Sequence, residues 1–188
     1  MPVGADRRLR PRAASWPYLS LMRWMAALLT SLGLTAPAAA SGDLRVVSAH
    51  GVSVRAPAGW HRIDPTPSSI GEPRTLLVVA TAGVRWDLRS ACQIASYRVP
   101  VAGAVVVVVG WKSAISAHAT GLPAGRAPLK KLARVTRPSF ECYRGRGAAA
   151  SVVLGGKAYQ VNVMVGDRAS AQRVREALAV ARSFDLTR

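Results

Sequence analysis

Trp60-His61-Arg62-Ile63-Asp64 is the stretch of this 188-residue chain that comes nearest to reactive chemistry. An imidazole with a carboxylate three residues on can be oriented for proton transfer, as a hydrolase requires. The plainer reading is that Trp60, His61 and Asp64 follow a strand end, where exposed polar groups are ordinary and serve at most as ligand contacts. Other constellations do not form. Gly51-Val-Ser53-Val-Arg55 has Arg where a nucleophile elbow needs its second Gly. Neither a phosphate loop nor a dinucleotide fingerprint is present. His50, His61 and His118 lack the spacing of a helical zinc pair, and two Cys cannot staff a metal cluster. The expectation is no catalytic residue, no metal and no cofactor, with a hydrolase built on His61 as the alternative.

Three further sets of residues invite a role. Trp60, Trp86 and Trp111 could stack on sugar rings, although such indoles more often cap the edge of a core. Cys92 and Cys142 are the two cysteines, and neither sits in Cys-x-x-Cys. In an oxidising compartment they are expected to form one disulfide, the alternative being a reactive Cys142 beside Arg144 and Arg146. If residues 128–136 are helical, Arg126, Lys130, Arg134 and Arg137 line one side at spacings of four, four and three, with Lys131 nearby. That stripe is a candidate anion or polymer contact, or else the solvated face of a surface helix whose Leu129 and Leu132 reach the core.

The leader sets the compartment. Residues 1–23 hold five Arg and one Asp, and no charge falls between Trp24 and Ala40. An apolar run from Met25 to Leu34 leads to Pro37 and Ala38-Ala39-Ala40, the parts of a secretory signal peptide cut before Ser41. The alternative is an uncleaved membrane anchor, and Met22 is a candidate true start. The whole chain carries 26 Lys+Arg against 9 Asp+Glu. Removing residues 1–40 takes away five Arg and one Asp, so 21 basic and 8 acidic residues leave a charge near +13. Such a balance favours anionic polymers, or reflects a composition rich in Arg, Ala, Gly and Val spread over a solvated surface. Only 11 aromatics (5 Trp, 4 Tyr, 2 Phe) argue against a stacking platform for nucleic acid.

The elements that must position these residues read as follows. Leu44–Ser48 and Val52–Ala56 form a hairpin through His50-Gly51, and Pro57-Ala-Gly-Trp60 ends its second strand. Residues 64–73 are loop, Thr75–Thr81 is an interior strand, and Ile94–Val99 is a further strand. Ala104–Gly110, with five consecutive Val, belongs at the sheet centre, buried on both faces. Gly155-Gly156 joins Ala148–Leu154 to Lys157–Val165 as a hairpin. In the second of these, Tyr159, Val161, Val163 and Val165 face the core, while Gln160, Asn162 and Met164 face water or a polar-tolerant layer. Ser170, with Asp167 competing, caps a helix over Ala171–Arg182 whose stripe is Val174, Leu178 and Ala181, and Phe184 packs as the chain leaves it.

Val52-Ser-Val-Arg-Ala-Pro-Ala-Gly-Trp60, a strand running into Pro-x-Gly-Trp, together with a closing helix that ends at Ser183-Phe184, resembles small actinobacterial-type secreted proteins and lipoproteins with the PsbP-like α/β fold. The resemblance spans about residues 46–184. It implies a central antiparallel sheet with flanking helices, and a binding or accessory role without catalysis. The chain differs from the lipoprotein members in having no lipidation Cys at the cut site.

These readings combine into one expectation. Residues 1–40 are a signal peptide, and 41–188 form a single exported α+β domain. Its mainly antiparallel sheet carries a C-terminal amphipathic helix packed on one face, with no transmembrane span after cleavage. The expected function is a secreted, non-enzymatic binding or accessory module of the cell envelope. Its partner is then an anionic envelope polymer or another envelope protein. The alternatives are a basic protein that binds anionic polymers through Arg126, Lys130, Lys131, Arg134 and Arg137, or an unrecognised secreted hydrolase.

Overall fold

Valine decides where the sheet is centred. The computed structural model describes residues 43–65, 71–116, 121–137, 141 and 143–187. The expected signal peptide, the start at Met22, His118, Pro138 and Cys142 lie outside the described residues. The strands are β1 (Arg45–Ala49), β2 (Val52–Ala56), β3 (Trp60–Ile63), β4 (Arg74–Thr81), β5 (Arg85–Trp86), β6 (Tyr97–Arg98), β7 (Ala104–Gly110), β8 (Arg146–Leu154), β9 (Lys157–Val165) and β10 (Asp185–Leu186). A 3-10 helix spans Ala127–Ala133, and α1 spans Ala171–Arg182. Five strands form an antiparallel sheet in the order β3-β4-β7-β9-β8, with β7 in the middle. A smaller sheet runs β1-β2-β10, and β5 pairs with β6. These residues belong to one compact unit, Ala40–Arg188.

All seven residues of β7 are buried. Ala104, Val106 and Val108 join a core with Trp60, Leu77, Val79, Val161, Val163, Leu129, Leu132 and the inner side of α1. Val105, Val107 and Val109 join a second core with Val78, Ala80, Val84, Ile94, Tyr97 and Met164. A run of branched side chains with no polar alternation is stable only where both faces are covered, and here each face has its own core. The face of β9 that carries Gln160, Asn162 and Met164 is therefore covered rather than wet. Asn162 is fully buried; its Oδ1 accepts from Gln160 Nε2 at 2.9 Å. Its Nδ2 donates to Val107 O at 3.4 Å, so both ends of the buried Asn162 amide are bonded, which is how a polar side chain is tolerated inside an apolar layer.

The turns follow their residues. His50 and Gly51 both take positive φ (48° and 80°), the geometry a two-residue hairpin prefers, and residue 51 lacks a Cβ to oppose it. Ser170 Oγ accepts from Arg173 N at 3.1 Å and starts α1, so Asp167 is not the cap. Ala177, Leu178, Val180 and Ala181 of α1 are buried, and the helix lies against β7 and β9. Phe184 is fully buried, its ring 5.4 Å from that of Tyr159.

One expectation needs correction and one strand is additional. Pro57-Ala-Gly-Trp60 ends β2 as expected, and Gly59, with φ 83°, then turns the chain into β3, which pairs Trp60 with Thr81 and Ile63 with Val78. Ile94–Val99 yields only the short β6, because Ile94 and Tyr97 are drawn down to cover Val105, Val107 and Val109. Among the described residues no helix is long and apolar enough to cross a membrane.

Candidate functional site

β3 is an edge strand, and its period of two distributes the Trp60–Asp64 segment over both faces of the sheet. Trp60 enters the first core and is fully buried, so its ring offers no surface to a ligand. Ile63 packs on the second core, and His61, opposite Ala80, shares that face. The imidazole and the Asp64 carboxylate are three positions apart on extended chain and therefore diverge; no hydrogen bond joins them among the described residues. The proton-transfer pair is not assembled, because it needed a helical or turn-like spacing that a strand does not provide.

What Asp64 does provide is a carbonyl. Trp86 Nε1 donates to Asp64 O at 2.8 Å, pinning the indole of β5 across the end of β3. Around this contact lies an open groove of about 580 Å³, lined by Ile63, Val84, Trp86 and Leu88 with Arg62, Arg85 and Asp64. Leu88 is 85% exposed. Its neighbour Asp87 holds the rim in place. The Asp87 carboxylate receives Arg98 Nη2 at 3.0 Å and the Arg89 backbone N–H at 3.2 Å. The Arg98 hydrogen bond, then that of Arg89, keeps this carboxyl below the usual carboxylate range. His61 is not part of the groove lining.

Guanidinium groups also seal the seam between β1 and β3. Arg45 Nη2 donates to Trp60 O, and Arg62 Nη1 reaches Ser48 O at 3.5 Å. An edge strand leaves main-chain groups unpaired, and these two contacts occupy some of them.

The basic stripe does not form. Residues 127–133 are 3-10 helix with a kink at Leu132, so the chain advances about three residues per turn and the four-residue spacing aligns nothing. The i, i+3 row that does align is Leu129 and Leu132, both buried in the first core. Arg126 is engaged with Asp185, Nη1 to Oδ1 at 2.8 Å. Lys130, Lys131, Arg134 and Arg137 are exposed, and none of them is in an ion pair among the described residues.

Glu141 is a residue that the sequence reading missed. Its Oε1 accepts from Gln93 N, and its Oε2 accepts from Ile94 N at 2.5 Å and Ala95 N at 2.8 Å. Three successive backbone donors on one carboxylate make a strong charge-assisted clamp. Glu141 meets it with φ 48°, a left-handed conformation that costs a non-glycine residue about 1 kcal/mol. No local pattern signals such a contact, because its partners lie more than forty residues away.

Tyr143 packs against the second core and donates its hydroxyl to Arg146 O. Burial pushes this phenol up from 10 to about 12. The neutral form is the one that folding favours, so its contribution to stability is complete below pH 10 and is lost as pH rises through about 12. A near-ultraviolet absorbance titration is expected to show a late tyrosine step that Tyr143→Phe removes; an unchanged curve in that variant contradicts the assignment.

Compared with known proteins, the chain matches no family model and no curated protein.

Proposed function

We propose that residues 41–188 are a secreted, non-enzymatic binding module of the cell envelope, and that the groove beside Trp86 is its ligand site. The observation that carries this is the groove: an open apolar floor, an indole fixed by the Asp64 carbonyl, and the guanidinium groups of Arg62 and Arg85 at its border. Ligand sites are typically concave and apolar with a few placed polar groups, and this arrangement suits an amphipathic anion. The export reading is supported by the basic and apolar leader composition, and the accessory role by the resemblance to PsbP-like secreted proteins. In this reading α1 is an amphipathic helix that closes the opposite face of the sheet.

Export also makes Cys92–Cys142 a disulfide. The Glu141 clamp supports it, since it draws the residue before Cys142 against the residues just after Cys92, and no described cysteine is free.

The test is a fluorescence titration with 8-anilinonaphthalene-1-sulfonate, whose apolar body and sulfonate match the groove. Saturable binding is expected, weakened roughly tenfold by Trp86→Ala or Arg85→Glu and unaltered by His61→Ala. Binding that ignores both groove variants, or hydrolytic activity lost in His61→Ala, overturns the proposal.

A further inference from the structure

The groove continues along one end of the large sheet. A second depression of about 240 Å³ shares Arg62, Ile63 and Asp64 with it and extends to His50, Pro65 and Leu76. A third, of about 150 Å³, shares His50 and Leu76 with the second and ends at Trp111, Lys112, Lys157 and Tyr159. The three depressions are neighbours through these shared residues, Trp86 lining the first and Trp111 the third. Both indoles are half-buried and rest on the second core, so each ring is held from below.

The charges along the track are unequal. Arg62, Arg85, Arg74, Lys112 and Lys157 face Asp64 and Glu72. Glu72 is drawn to Lys112 at 3.8 Å, a distance that leaves Lys112 largely available. Arg74 Nε is used on Gly71 O. Arg62 and Arg85 at one end and Lys157 at the other have no ion-pair partner among the described residues.

We propose that these depressions form one track for an extended anionic glycan. In this arrangement sugar rings lie on Trp86 and Trp111, and acid groups meet Arg62 and Arg85 at one end and Lys112 and Lys157 at the other. This rests on the groove being the ligand site. Two separated indoles suit a chain of rings with apolar faces, where a single small ligand would need only the first groove. Guanidinium groups pair with carboxylates in a bidentate manner, and ammonium groups supply point charge further along. The net positive track attracts a polyanion, and salt weakens that attraction.

The probes are a long oligouronate, the corresponding monouronate, a neutral maltooligosaccharide of matched length, and inorganic polyphosphate, measured by isothermal titration with the mature domain. The long oligouronate is expected to bind, with affinity falling as salt rises. Trp111→Ala and the exposed pair Lys112→Glu/Lys157→Glu should each weaken it roughly tenfold while leaving monouronate and anilinonaphthalene sulfonate binding unchanged. If Trp86→Ala abolishes oligouronate binding and Trp111→Ala does nothing, the track fails and the groove stands as a small-ligand site. Polyphosphate binding equally well, and indifferently to both Trp variants, reduces the surface to charge alone and overturns the inference. Equal affinity for the maltooligosaccharide overturns its anionic part. Loss of every probe, the sulfonate included, removes the functional proposal with it.

Discussion

If the proposed Cys92–Cys142 bridge is present, reduction is expected to lower the stability of the protein by up to about 4 kcal/mol. The proposed bond would close a loop of about 51 residues, and opening it would return that conformational freedom to the unfolded chain. The loop holds β7, the 3-10 helix and the segment whose Ile94 and Tyr97 cover the second core. Its loss therefore weakens the cover over Val105, Val107 and Val109 as well as loosening the unfolded state. The Glu141 carboxylate continues to hold Gln93, Ile94 and Ala95 after reduction, so local order outlasts the bond and the protein remains folded at room temperature. Urea unfolding with and without reductant measures the difference; a downward shift in thermal midpoint of roughly 10 °C is the corresponding thermal result. Alkylation of both thiols in unreduced native protein, or coincident unfolding curves, contradicts the bridge.

The sequence was most informative where one local signal decides the outcome. Five consecutive Val can only be a buried strand, Gly155-Gly156 can only be a turn between two apolar runs, and Ser170 stands one residue before a helical period. Those features place the sheet centre, its last hairpin and α1. β3 was lost because it is four residues long and begins on a Trp preceded by Pro and Gly, signals that read as termination. Losing it mattered, since only an extended Trp60–Asp64 separates the imidazole from the carboxylate. The 3-10 winding of 127–133 likewise hid in a sequence that suits an α-helix equally, and the four-residue spacing of its cations had no consequence once the winding changed.

The groove was out of reach for a different reason. Its defining contact, Trp86 Nε1 to Asp64 O, links residues 22 apart and uses a main-chain carbonyl, which every residue possesses and no sequence pattern marks. The Trp86 and Trp111 rings were recognisable as candidates, whereas their placement in neighbouring depressions depends on how β3, β4, β7 and β9 terminate at the same end of the sheet.

Trp60→Ala is expected to cost about 3–5 kcal/mol, because the ring is fully enclosed in the first core and its removal leaves a void that β3 and the β1–β2 hairpin cannot collapse into. Trp60→Phe should behave quite differently. Trp60 Nε1 is buried with no hydrogen-bond partner among the described residues, a condition that costs about 1–3 kcal/mol. Phenylalanine loses part of the ring's contact area and also removes that unpartnered donor, so the two effects oppose each other and the net loss should stay below about 2 kcal/mol. Since Trp60 is not among the residues lining the groove, probe binding in Trp60→Phe should equal that of the wild type. Urea midpoints and anilinonaphthalene sulfonate affinity, measured on the same samples, separate the two roles. A Phe variant as unstable as the Ala variant means the indole nitrogen is bonded after all. A Phe variant with native stability and lost binding returns Trp60 to the ligand surface, and the core assignment fails.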